Sequence, residues 1–250
     1  MALLLFSDFG AADLYAGQVE TVLDRYAPGV RVITLLNEAP RFDVTASAHL
    51  LAALAHLLAA LAQRVPRGHV FIAVVDPGVG TRRPGLVARI DGRTFVGPDN
   101  GLLSVLWARA TQRSAWHIVA HPPGVSVSFH GRDVFAPMAA AVVTGEFPNE
   151  NVKAVAAPEV LLPGEDLAQV IYVDHYGNAF TGLRGAGLPE SRTLLVADRQ
   201  VPHARVFGDA PTGEPFWFVN SLGLVEIAMP MADAARVLGL RIGAPVAWAG

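Results

Sequence analysis

The sequence predicts an α/β protein in two parts, an N-terminal layered domain on a largely parallel sheet and a smaller all-β domain after it. Up to about Gly145, short aliphatic or β-branched runs alternate with longer helical stretches, the texture of a sheet covered by helices. Further on, the runs shorten and turn residues crowd between them, which suits a small barrel or sandwich. Between the two textures, Ala157-Pro158-Glu159-Val160-Leu161-Leu162-Pro163-Gly164 reads as a linker. The expected division is therefore 1–156, a linker at 157–166, and 167–250. A chain of 250 residues has room for both parts, since domains commonly run to about 100–150 residues.

Taken in order, strands are expected at Leu3–Phe6, Arg31–Leu36, Val70–Val75, Leu86–Ile90 and Trp116–Val119, and helices at Tyr15–Tyr26, Asp43–Gln63, Gly101–Arg109 and Val134–Thr144. Pro28-Gly29, Pro66-Arg67-Gly68 and Pro122-Pro123-Gly124 punctuate them, because proline and glycine favour backbone angles that end helices and turn loops. The second part offers strands at Ala168–Val173, Asn178–Thr181, Thr193–Val196, Pro215–Val219 and Leu224–Met229, with a short helix at Ala232–Leu238. Met1–Phe6 is apolar but has no basic flank and no small-residue cleavage site, so it reads as a buried first strand. The longest apolar run, Leu50–Ala62, is interrupted by His56 and falls short of the ~20 residues that cross a bilayer, so it reads as a core helix.

Composition narrows the function classes. Hydrophobic residues make up 52% and charged residues 16%, against an ordinary charged share of about 25%, which excludes disorder and favours a compact oligomer. A net charge of -3 supplies no basic footprint for nucleic acid. The absence of cysteine removes disulfides, thiolate nucleophiles and thiolate metal sites. Lys153 is the only lysine and stands in no G-K-[ST] context, so a P-loop is ruled out. No histidine pair has metal-ligand spacing: His49 and His56 lie on an Ala/Leu helix, and His117 and His121 lie in strand and Pro-Pro surroundings. No metal, no cofactor, no membrane and a cytoplasmic location are the expectations.

Six polar segments stand out. Ser7-Asp8-Phe9-Gly10 ends the first strand, the edge of an open α/β sheet where ligands are held, and Asp8 there can accept two hydrogen bonds from a ribose diol or serve only as a cap. Val74-Val75-Asp76-Pro77-Gly78-Val79-Gly80-Thr81-Arg82-Arg83 also follows a strand. Pro84-Gly85 and another strand come where a dinucleotide fold needs a helix, so what remains is a Gly-rich turn with a carboxylate at its entry and a guanidinium at its exit. Gly97-Pro98-Asp99-Asn100-Gly101 reads mainly as a structural turn and cap. Phe129-His130-Gly131-Arg132-Asp133 places His, Arg and Asp at a helix start, where a histidine can donate or accept at neutral pH. In the second part, Asp174-His175-Tyr176-Gly177-Asn178-Ala179-Phe180-Thr181 and Phe216-Trp217-Phe218-Val219-Asn220-Ser221-Leu222-Gly223 mix amides and hydroxyls with aromatics. That mixture can stack an adenine and bond its edge, although Tyr-Gly-Asn is equally a hairpin turn.

In this order the segments resemble the S-adenosyl-L-methionine (SAM) hydroxide adenosyltransferases, or SAM hydrolases, relatives of the fluorinase and chlorinase enzymes. The resemblance implies an N-terminal α/β domain, a C-terminal β-barrel, and a homotrimer whose sites lie between the N-terminal domain of one subunit and the C-terminal domain of its neighbour. It also implies cleavage of SAM by water to adenosine and L-methionine. Matched by motif, Asp8 looks like the ribose-diol ligand, Asn178 the adenine-edge ligand, and Phe180 and Phe207 the aromatic walls. Asp13, Asp174 and Ser221 fall where methionine-end contacts are expected, and Asp76, Arg83 and His130 match the polar triad of the hydrolases. The halogenases carry an aromatic residue at the position of Asp76, a Tyr-Ser pair at His130-Gly131, and an insertion where Asp91-Gly92 makes a compact connection here. Those departures argue against halide use. Leu222 replaces a halogenase Arg that holds the methionine carboxylate, which leaves Arg132 or backbone amides for that task.

The residue types suit such chemistry. A sulfonium leaves as a neutral thioether, so no acid is needed for departure, only an aligned oxygen nucleophile at the ribose 5′ carbon. Asp76 and His130 both stand as candidates for the base, while Arg83 only donates hydrogen bonds. Two other readings compete: a halide-dependent adenosyltransferase, and a nucleoside- or SAM-binding protein without turnover, in which a water-activating cluster has no purpose.

Overall fold

The computed structural model describes residues 1–60, 68–121, 124–148 and 150–249. The described residues fall into two units, one holding Met1–Leu51 and the described part of Leu61–Gly164, the other holding Ala52–Ala60 and the described part of Glu165–Gly250.

The first unit is built on a seven-stranded sheet of β1 (Ala2–Ser7), β2 (Arg31–Leu36), β3 (Val70–Val74), β4 (Gly85–Ile90), β5 (Arg93–Pro98), β6 (Arg113–Ile118) and β7 (Val152–Val155), in the order β2-β1-β3-β5-β4-β6-β7. β2, β1, β3 and β5 pair in parallel, and β4, β6 and β7 continue the sheet antiparallel. Five of the seven strands thus share one direction, because two successive reversals bring β6 back to that of β5. Every residue of β1 and β3 is buried, as expected for central strands covered on both faces. Alternate residues Leu3, Leu5, Val70, Ile72 and Val74 meet Val19 and Leu23 of α1 (Tyr15–Tyr26) and Met138, Ala139 and Val143 of α4 (Ala136–Thr144) in one core.

Two further helices complete this part of the chain, α2 (Val44–Ala60) and α3 (Ser104–Arg109). Asp43 caps α2 by accepting from the Ala46 amide at 2.9 Å. The expected α2 end at Gln63, and the expected Pro66-Arg67 and Pro122-Pro123 turns, lie outside the described residues. α3 begins three residues later than expected, because Gly101 takes a left-handed φ of 100° and Asn100 Oδ1 accepts from the Leu102 amide, forming a turn. The expected helix at Val134 starts earlier, as a π-helical turn over Gly131–Phe135 that runs into α4.

The second unit has two antiparallel sheets. One, ordered β12-β13-β9-β8, comprises β8 (Leu167–Val173), β9 (Ala179–Arg184), β12 (Phe216–Val219) and β13 (Leu224–Ala228). The other, ordered β11-β10-β14, comprises β10 (Leu194–Val196), β11 (Arg199–Val201) and β14 (Val246–Trp248). Single bridges join them at both edges, Gln169 to Pro245 and His203 to Trp217. Val170, Leu194, Val196, Trp217, Val225, Ile227 and Val246 share their core, closed by α5 (Ala234–Leu238) through Leu238. Among the described residues no helix is long and apolar enough to cross a membrane.

Candidate active site

The site is laid out by the carboxyl ends of two neighbouring parallel strands. Ser7 of β1 stands beside Val74 of β3, so Asp8 and Asp76 emerge from adjacent strand ends, the usual place for a ligand on an open α/β sheet. From Asp76 the chain makes a Gly-rich excursion and returns at Arg83, whose Nη2 donates to Asp76 Oδ2 at 2.6 Å. Gly80 is required in that excursion: its φ is 82°, and a Cβ there would stand 2.6 Å from the Val127 carbonyl oxygen. The same Arg83 Nη2 lies 3.3 Å from His130 Nδ1. A guanidinium has no acceptor, so Nδ1 receives, and the neutral ring carries its proton on Nε2.

The pair is deeply buried, with side-chain exposures of 9% for Arg83 and 5% for Asp76. Burial pushes the Asp76 carboxyl above its ordinary value, against the opposing pull of Arg83 and His130. Burial, and next the Arg83 charge, push His130 below the ordinary histidine value, which keeps the ring neutral at pH 7. Asp76 Oδ1 and Arg83 Nε, both buried, have no hydrogen-bond partner among the described residues. The guanidinium thus holds one carboxylate oxygen, and the other is buried, with the Gly78 backbone acting on the same carboxyl.

Asp76 and His130 line a cavity of about 440 Å³ together with Asp8 and Asp13. Asp8 Oδ2 accepts from the Phe42 amide at 3.5 Å, and burial, helped by the Asp76 charge, raises its carboxyl. The apolar wall is a trio of rings, Phe9, Tyr15 and Phe129, with centroids 5.5 to 6.0 Å apart and the Phe129 contacts edge-on. Arg41 and Phe42 stand at the rim, Phe42 in a left-handed conformation and 77% exposed. Sequence reasoning did not single out Tyr15, Arg41 or Phe42. A bulky aromatic just ahead of the Asp43 cap was the available signal for Phe42. Arg132 is engaged elsewhere: it forks onto Asp133, donates to Gln18 at 2.9 Å, and lies over the Phe129 ring.

In the second unit, Asp174, Asn178 and Phe207 line another cavity of about 710 Å³, with Tyr176, Met229 and Met231. Asp174 Oδ1 accepts from the Tyr176 and Asn178 amides at 2.9 and 2.8 Å, and Oδ2 from Asn178 Nδ2 at 3.1 Å, so the turn presents a pre-set amide. Phe207 packs edge-on against Phe216 and Phe218. Phe180 and Ser221 do not line this cavity. Phe180 packs edge-on against Tyr172, and Ser221 is exposed in the turn that Asn220 organises. Nearby, Glu226 is a buried carboxyl that sequence reasoning passed over, although a charge inside Leu224-Val225-Glu226-Ile227-Ala228 was a visible signal. Among the described residues no group of three or more His, Cys, Asp or Glu is placed to hold a metal ion.

The N-terminal domain model of the SAM hydroxide adenosyltransferases matches residues 3–152, and the C-terminal domain model matches residues 168–247. The chain belongs to this family. Those two segments carry all ten candidate site residues, from Asp8 to Ser221. A Thermus thermophilus protein named (R)-S-adenosyl-L-methionine hydrolase is 38% identical over 96% of this chain and 96% of its own length. A Salinispora arenicola protein of the same name is 37% identical over 95% and 93%. A fluorinase of Actinopolyspora mzabensis is similar at 23% over 96% and 94%. Among solved structures, an uncharacterized conserved protein from Thermotoga maritima matches with a TM-score of 0.85 and 28% identity, covering 99% of this chain and 100% of that one.

Proposed function

We propose that the protein is an enzyme that hydrolyses S-adenosyl-L-methionine to adenosine and L-methionine, with Asp76 as the base. The observation that carries this reading is the buried Asp76 carboxyl at a cavity shared with Asp8 and His130, one of its oxygens pinned by Arg83. The relatives' shared name, (R)-S-adenosyl-L-methionine hydrolase, supplies the substrate class.

In the reaction a water oxygen attacks the ribose 5′ carbon, the carbon–sulfur bond breaks with its electron pair going to sulfur, and one proton is released for each cation consumed. Asp8 accepts from the ribose diol. Asp76 takes the water's proton, and its raised pKa makes it the better acceptor. His130 is the weaker choice for that step, because its Nδ1 faces Arg83 and its Nε2 already bears a hydrogen, so it orients the water as a donor. Since sulfur leaves neutral, the chemistry requires no Lewis acid, and metal independence belongs to the reading. So does a cytoplasmic homotrimer in which the Asp8 cavity of one subunit is completed by the Asn178 and Phe207 surface of a neighbour, with Phe180, Asp13, Asp174 and Ser221 as further substrate contacts.

The halide-dependent reading is disfavoured by the Asp76 carboxylate, whose charge repels an anionic nucleophile. Incubation with SAM, with and without chloride, fluoride and EDTA, followed by chromatography, tests both. Adenosine and methionine in equal amounts under every condition are expected. A dominant 5′-halo-adenosine, or no turnover at all, overturns the proposal.

A further inference from the structure

The sheet order poses a geometric problem for the Asp76–Arg83 pair. β3 delivers Asp76 and β4 receives the chain after Arg83, but β5 lies between them. The excursion from Asp76 to Pro84 therefore straddles one strand, a span of about 10 Å at two inter-strand spacings. What lies under it is the end of β5 and the turn that follows, Gly97-Pro98-Asp99-Asn100-Gly101. That turn holds both feet of the excursion. Asn100 Nδ2 donates to the Val75 carbonyl at 2.8 Å, the residue immediately before Asp76. The Asp99 amide donates at 3.1 Å to the Pro84 carbonyl, the same oxygen that accepts from Arg83 Nη1 at 2.6 Å.

The turn is itself anchored. Asp99 is 1% exposed, and its carboxylate meets His117 Nε2 at 2.9 Å and accepts from the Glu159 and Val160 amides at 2.8 and 3.4 Å. A Cβ at Gly97 would stand 2.2 Å from the Ala73 carbonyl oxygen, so only glycine lets β5 approach β3 this closely. We infer that Asn100 and Asp99 are positioning residues, bracing the two ends of the excursion so that the Arg83 guanidinium is held against one oxygen of Asp76 at the wall of the cavity. Burial pushes the Arg83 guanidinium below its ordinary pKa, and the Asp99 charge, after that of Asp76, opposes this through space. The inference rests on the water-activating reading of Asp76 and Arg83, and it gives a catalytic purpose to a segment whose sequence reads as a structural turn.

Asn100→Ser tests it. A serine hydroxyl still accepts from the Leu102 amide and keeps the turn, but is too short to reach the Val75 carbonyl. Misplacement of a reacting group by about 1 Å costs on the order of 100-fold. A fall in kcat of about 10- to 100-fold is expected, with KM within about 3-fold of the parent, since Asp8 and the aromatic wall are untouched. A crystal structure of the variant is expected to show the Arg83–Asp76 contact lengthened from 2.6 Å. Parental kcat, a parallel change in kcat and KM, or a fall in kcat with that contact intact each overturns the inference. If the parent does not turn SAM over, the functional proposal fails by itself, and the crystal structure alone decides the brace. Should Asn100→Ser not fold, Asp99→Asn is held to the same kinetic split, because it keeps the backbone amide to Pro84 while removing the charge facing Arg83 and one acceptor oxygen of the anchor to His117, Glu159 and Val160.

Discussion

Replacing Glu226 with glutamine is expected to stabilise the protein at alkaline pH and leave it nearly unchanged in acid. Glu226 is buried in the middle of β13, where its Oε2 accepts from Asn220 Nδ2 at 2.9 Å. Burial, reinforced by the Asp174 charge, pushes its carboxyl from 4.5 up to about 7. The folded protein therefore binds this proton more tightly than the unfolded chain does. The stability that the protonated group contributes is complete below about pH 4.5 and is lost as pH rises through about 7. At about 1.36 kcal/mol per pH unit, a rise from 4.5 to about 7 corresponds to about 3 kcal/mol. Glutamine has no charge to bury, and its carbonyl still accepts from Asn220. Urea unfolding followed by tryptophan fluorescence is a suitable assay, since Trp217 lies in the core behind β13. Matched midpoints at pH 4.5 and a variant more stable by about 3 kcal/mol at pH 8 are expected. Parallel pH profiles for parent and variant would falsify the reasoning.

Other substitutions separate the parts of the site. Asp76→Asn keeps size and some hydrogen bonding but accepts no proton; calorimetry is expected to find SAM affinity within a few-fold, and single-turnover kinetics a loss of ~10²–10⁴-fold, about 3–5 kcal/mol in the barrier. Affinity and turnover falling together would make Asp76 a substrate ligand instead. Asp8→Ala and Asn178→Ala proteins, each inactive alone, are expected to regain activity when subunits are mixed and reassembled; no recovery despite demonstrated exchange rejects sites shared between subunits. Gly97→Ala is expected to lower the melting temperature sharply or abolish soluble expression, because the added carbon meets the Ala73 carbonyl. A parental melting temperature contradicts the close approach of β3 and β5.

Long periodic elements and strand ends were legible in the sequence. α1 occupies Tyr15–Tyr26 and β2 occupies Arg31–Leu36, where the apolar pattern places them. β5 was not read as a strand, because Arg93-Thr94 opens it on polar residues and Gly97-Pro98 ends it with the vocabulary of a turn. β7, β11 and β14 escaped for a different reason: at three or four residues they are too short for alternation to register. Asp76 and Arg83 stand seven residues apart, so a single loop brings them together, and the Gly-rich composition announced that loop. His130 is 47 residues beyond Arg83, and only the family resemblance tied it to them. Tertiary placement of this kind leaves no periodic trace, which is also why the brace under the loop and the buried Glu226 carboxyl were invisible until the strands were ordered.

The ring trio of Phe9, Tyr15 and Phe129 amounts to a choice of reaction medium. In the proposed reaction a sulfonium cation becomes a neutral thioether, so positive charge on sulfur fades as its bond stretches. Bulk water, whose dipoles turn toward a full charge, favours the starting cation over the dispersed charge that follows. Rings packed against one another, with both Phe129 contacts edge-on, have no dipole to turn except the Tyr15 hydroxyl and supply mainly the weak negative potential of their faces, enough to attract a cation without anchoring it. The wall then behaves as a solvent of low polarity and fixed orientation, installed where charge disappears. A carboxylate introduced into it would hold the sulfonium more tightly and slow its conversion, even with Asp76, Arg83 and His130 all in place.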